Sequence, residues 1–89
     1  MARHQSKPNP LKFTKRMYAF VADVLGERAP DGILFMKKCK ERASPHYGTA
    51  GFFEAAQALI RSTAQEFPMF TADERKKLQQ YAWGSLRRI

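Results

Sequence analysis

The segment from residue 11 to residue 25 limits what this chain can become more than any other. On a helical wheel at about 100° per residue, Leu11, Phe13, Met17, Tyr18, Phe20, Val21, Val24 and Leu25 gather on one half. Lys12, Lys15, Arg16 and Asp23 take the other half, with Ala19. A strand alternates with a period of two and cannot separate these residues. The segment therefore predicts an amphipathic helix with one face to bury. Its borders agree: Asn9-Pro10 reads as an N-cap followed by proline at the first helical position. Gly26 suits the left-handed residue that closes a helix. A single amphipathic helix cannot cover its own apolar stripe, so the rest of the chain must supply partners.

The following segments have the same character. Ala29-Pro30-Asp31-Gly32 is turn chemistry. Beyond it, residues 33–42 predict a helix capped by Asp31, apolar at its start and basic at its end; a strand here would lack a second β-rich run to pair with. Ser44-Pro45 and Gly48 mark a connection. A further helix is expected over 50–67 with Thr49 as N-cap. It carries Phe52, Phe53, Ala56, Leu59, Ile60, Thr63, Ala64 and Phe67 on one face and ends at Pro68. Thr71-Ala72-Asp73-Glu74 is a capping box that opens a last helix. Its inner stripe is Leu78, Ala82, Ser85, Leu86 and Ile89. The expectation is an all-α, single-domain bundle of about four helices over 11–89, behind a basic N-terminal arm over 1–10. The six-residue connection after Arg42 is longer than a helix-turn-helix motif uses.

At 89 residues there is room for one domain. A chain this short buries only roughly 60% of its unfolded surface. With 44% hydrophobic and 27% charged residues it reads as globular rather than disordered. No apolar run is long enough to span a membrane, and no apolar signal core follows the basic start. The single cysteine, Cys39, cannot form an internal disulfide. That favours a reducing, intracellular compartment, cytoplasmic or mitochondrial.

Sixteen Lys and Arg against eight Asp and Glu give a formal charge of +8, and the cations are clustered. Arg3, Lys7, Lys12, Lys15 and Arg16 precede the first acid. Lys37, Lys38, Lys40 and Arg42 flank Glu41 alone, and Arg75, Lys76, Lys77, Arg87 and Arg88 close the chain without an acid. Two such segments meeting on one face would attract a polyanion. Spread evenly, they would serve only solubility.

Chemistry of other kinds finds little footing. A Cys39–His46 couple is possible by arithmetic, but a cysteine beside Phe35 and Met36 is ordinarily a small core residue. One cysteine and two histidines match no metal-ligand spacing, and no phosphate-cradling glycine motif is present. No catalytic residue, metal or cofactor is therefore expected. Trp83 is the most informative side chain. It projects beside Lys76, Gln80 and Arg87, where an indole can stack on a base, anchor an interface or cap the core edge. The basic side of the first helix, with Lys12, Lys15 and Arg16, continues into Arg3 and Lys7 of the arm; the same pattern also suits a mitochondrial targeting segment. Tyr47, near Lys37 and Arg42, could stack on a partner or pack back on the domain.

These features point to a non-enzymatic, basic accessory protein that docks on an anionic partner, with nucleic acid or a ribonucleoprotein as the first choice. The expected contacts are Arg3, Lys7, Lys12, Lys15, Arg16, Lys37, Lys38, Lys76, Gln80, Trp83 and Arg87. The alternative is a subunit or inhibitor in a larger assembly, a mitochondrial one included, working through protein–protein contacts with an acidic neighbour.

Overall fold

In the computed structural model, which describes residues 15–86, the helical residues form three unbroken runs, 15–46, 52–64 and 72–86. No strand occurs among the described residues, so the chain is all-α. The first run contains two helices, α1 (Lys15–Leu25) and α2 (Ala29–Ala43), joined by a 3-10 turn at Gly26–Arg28. Gly26 has φ of 60°, the left-handed conformation that glycine adopts without a Cβ penalty. The chain thus changes direction while remaining helical.

The turn expected at residues 29–32 is absent. Pro30 lies in the first turn of α2, where its missing N–H would have had no helical acceptor. Gly32 lies inside the helix and is buried. The physical reason is close packing: a Cβ on Gly32 would stand 2.5 Å from Val21 Cγ1 and 2.7 Å from Leu25 Cδ1. Glycine at this point brings α2 onto α1 rather than turning the chain.

A second 3-10 turn at Ser44–His46 leads to α3 (Phe52–Ala64), and α4 (Ala72–Leu86) follows. α3 is shorter than the expected 50–67. Thr49 does not cap it; the Thr49 hydroxyl donates to the His46 carbonyl at 2.7 Å, and Gly51 stands at the N-cap without a side-chain bond. At the other end Phe67 leaves the helix before Pro68 and folds inward. Its ring stacks on Phe70 at 5.2 Å between centroids, and both meet Phe35 edge-on, at 5.7 and 6.0 Å. α4 starts with the capping box: Glu74 N–H donates to Thr71 Oγ1 at 3.1 Å, and Thr71 N–H donates to Glu74 Oε1 at 3.0 Å.

α2 is the central element. It packs against α1, α3 and α4 and buries Gly32, Phe35, Met36, Cys39 and Ala43. The others turn one stripe inward: Met17, Val21 and Leu25 from α1, Phe52, Ala56, Ile60, Thr63 and Ala64 from α3, and Leu78, Ala82 and Leu86 from α4. Tyr18 and Phe53, assigned by the wheel to inner faces, are 46% and 55% exposed.

Two arginines tie the helices together. Arg28 Nη1 donates to the Met69 carbonyl at 3.3 Å and to Glu74 Oε1 at 3.1 Å, and its Nη2 pairs with the other Glu74 oxygen. This clamps the turn after α1 to the start of α4. Arg42 Nη1 donates to Thr63 Oγ1 at 3.0 Å, and its two nitrogens engage both Glu66 oxygens, joining α2 to α3. Charge-assisted pairs of this forked kind fix geometry as well as adding energy.

Candidate nucleic-acid interface

The three basic segments meet different fates. Those at residues 1–14 and 87–89, with Arg3, Lys7, Lys12 and Arg87, lie outside the described residues. On α2, Arg42 and Lys38 share Glu66; Lys38 Nζ is 3.7 Å from Glu66 Oε1 and half-buried. Lys37 is exposed on the same helix. On α4, Arg75 turns inward and donates to the Phe70 carbonyl at 3.3 Å. Lys76 and Lys77 point outward; Lys77 is 3.1 Å from Asp73 one turn earlier, a pair open to solvent on both sides. No ion pair joins Lys15, Arg16 or Lys76 to a described acid.

The outward cations of α1 and α4 come together. A groove of about 330 Å³ runs between the two helices, with Arg16 on one wall and Lys77 and Gln80 on the other. Its base is the stacked pair of Phe20 and Tyr81, 4.5 Å between centroids and 20° from parallel. Gly84 and Ser85 complete the lining. A Cβ on Gly84 would meet no atom within 4 Å, so the absent side chain leaves the groove open.

A second, smaller groove of about 160 Å³ lies on the opposite side of α4, against α3. Trp83, Gln79 and Gln80 come from α4, and Gln57, Ile60 and Arg61 from α3. Gln80 belongs to both grooves and forms the ridge between them. Trp83 is half-buried against the core edge. Its indole is edge-on to Phe53 at 5.7 Å and 83°. Among the described residues neither groove is lined by a carboxylate; together they present Arg16, Lys77 and Arg61 with three glutamine amides.

The remaining candidates separate from this face. Lys37 and Lys38 line neither groove and stand on α2, which contributes to neither, whereas Lys15 and Lys76 line neither groove but stand on helices that do. Tyr47 packs back, its ring 5.8 Å from Phe52. Cys39 is fully buried, and burial pushes its thiol up to about 12. It is therefore an unreactive core group, while His46 is exposed. The described residues contain no group of three or more His, Cys, Asp or Glu able to hold a metal. No described helix is long and apolar enough to cross a membrane.

Arg61, Tyr81 and Gly84 line these grooves without having been singled out as contacts in the sequence, and Phe53 meets Trp83 from outside them. Tyr81 carried a signal, since it lies one turn from Leu78 at the edge of the inner stripe. Arg61 carried none, because its place beside Trp83 depends on how α3 crosses α4. Compared with protein-family models, curated proteins and solved structures, the chain matches none.

Proposed function

We propose that this chain is a non-enzymatic binding protein that docks on nucleic acid through the outer face of α4 and its two flanking grooves. One observation carries the reading: cations from three helices, Arg16, Arg61 and Lys77, gather around α4 on surfaces that no carboxylate lines among the described residues. Lys15 and Lys76 are exposed on α1 and α4 and add to the same field. Binding proceeds by neutralising phosphates and releasing their condensed counterions. Contacts of this kind fix position rather than sequence.

The salt dependence of binding to a labelled oligonucleotide tests this. Four neutralised phosphates give a log–log slope of about −3, or roughly a fifty-fold loss of affinity between about 50 and 200 mM salt. Gly84→Leu provides the matching variant. It places a side chain in the open groove while improving helix propensity, so the protein stays at least as stable and binds more weakly. A flat salt response, or full binding by Gly84→Leu, removes the proposal.

A further inference from the structure

We infer that the nucleic acid bound here is single-stranded, with unpaired bases stacking on Phe53 and Trp83; this rests on the docking reading above and narrows its ligand. Cations alone serve a duplex and a single strand equally well. Aromatic faces do not, because a duplex keeps its bases stacked on one another and offers only edges and phosphates. Here Trp83 shares a groove with Arg61, and Phe53 meets the indole from the adjoining hollow beside Tyr47 and Phe52. Phe53 is 55% exposed although it belongs to the apolar side of α3. Trp83 meets it at 83°, so the two rings form a corner with faces in different directions. A flexible strand can lay successive bases on such a corner; a stiff duplex cannot.

The neighbouring groups suit unpaired bases as well. Gln57, Gln79 and Gln80 surround Trp83. Each amide both donates and accepts, and unpaired bases expose donors and acceptors along edges that pairing would otherwise occupy. Arg61 supplies a cation at the same place, and the Gln80 ridge leads from the aromatic corner to Arg16 and Lys77 in the other groove. The face thus has the two parts that sequence-tolerant single-strand binders combine, a cationic track and a stacking platform.

Trp83 is the sole tryptophan of the chain, so its emission reports this corner alone. The full chain is titrated with an oligothymidylate of about 12 nucleotides, a duplex of the same length, and polyglutamate as a polyanion without bases. The single strand should bind roughly tenfold tighter than the duplex and quench the indole. Phe53→Ala should weaken the single strand about tenfold, leave the duplex affinity unaltered and keep the circular dichroism of the parent. Equal affinity for strand and duplex, no quenching, or an inert Phe53→Ala overturns the single-strand inference while the docking reading stands. Polyglutamate binding as tightly as the oligonucleotides, or no binding of either nucleic acid, overturns the docking reading itself and points to an acidic protein partner.

Discussion

α2 and α4 are each 15 residues long and each carries a cationic run, yet their surroundings separate them. Both touch every other long helix, but α2 packs more extensively and buries five positions. Two of its cations, Lys38 and Arg42, lie against Glu66 across the turn that follows α3. α4 buries three positions and has a groove on either side. Its Lys76 faces solvent, and Lys77 has only an exposed partner on its own helix. The same residue types do structural work in one helix and form an open surface in the other. What decides is whether the facing element supplies an acid: Glu66 faces α2, whereas α1 and α3 present Arg16 and Arg61 to the grooves beside α4.

The largest effects should fall on α2. Phe35 is fully buried, edge-on to the stacked Phe67 and Phe70, so Phe35→Ala should cost about 3–5 kcal/mol in urea denaturation. That is a large share of what a small domain has. Lys76→Ala on the outer face of α4 should stay within about 0.5 kcal/mol of the parent. Comparable losses in the two variants would erase the distinction between the helices.

One substitution should act with opposite signs in the two helices. Gly32→Ala forces a methyl against Val21 and Leu25. The β-branched Val21 is stiff in a helix, so overpacking of about 1–3 kcal/mol should outweigh the gain in propensity. Gly84→Ala meets nothing and should stabilise by about 0.5–1 kcal/mol. Thermal melts of the two variants measure both. Adding Val21→Ala to Gly32→Ala should cost less than the sum of the single changes, because the two sites are in contact.

These glycines also mark where the sequence could and could not be read. The capping box of Thr71 and Glu74 is local in the chain, and so are the stripes of Met17, Val21 and Leu25 or Leu78, Ala82 and Leu86; periodicity and spacing determine them. Gly32 misled because Ala-Pro-Asp-Gly is turn chemistry unless a neighbouring helix demands a missing Cβ. Thr49 misled because its hydroxyl found the His46 carbonyl, a competing local bond. Arg28 with Glu74 and Arg42 with Glu66 are separated by 46 and 24 residues, and no pattern in one dimension pairs them. For the same reason the wheel placed Trp83, Lys76 and Gln80 together but could not bring Arg16 or Arg61 alongside.

Acid should loosen the arginine clamps. The Arg42 guanidinium holds the Glu66 carboxyl below its ordinary value, and Arg28, aided by the Thr71 N–H, does the same for Glu74. A depressed carboxylate adds stability that is fully present above the unfolded value, about 4.3. That stability is lost as pH falls through the lower folded value. The melting temperature should therefore drop from about pH 5 downward, and Glu66→Gln with Glu74→Gln should flatten the decline while lowering the plateau above it. A double variant with the parent's acid profile would show that the clamps contribute nothing at equilibrium. Both pairs reach solvent, so the effect is smaller than that of a core deletion.

The smallest effect separates α2 from α4 most sharply. Lys76→Gln and Lys38→Gln remove the same charge and leave net charge identical, so any purely global attraction to a polyanion must weaken equally in both. Local docking predicts otherwise. Lys76 lines neither groove but is exposed on α4 one turn before Gln80, the ridge between them, and its loss should reduce the steepness of the log affinity against log salt plot by about 0.7 for a single strand. Lys38 sits against Glu66 on the central helix, and at about 0.1 M salt charges more than roughly 10 Å from the bound strand are largely screened. Its replacement should leave the slope unaltered, because a bound phosphate never displaced counterions there. Identical slopes for both variants would mean that the polyanion senses only the total charge, and that the face around α4 has no privilege over the rest of the surface.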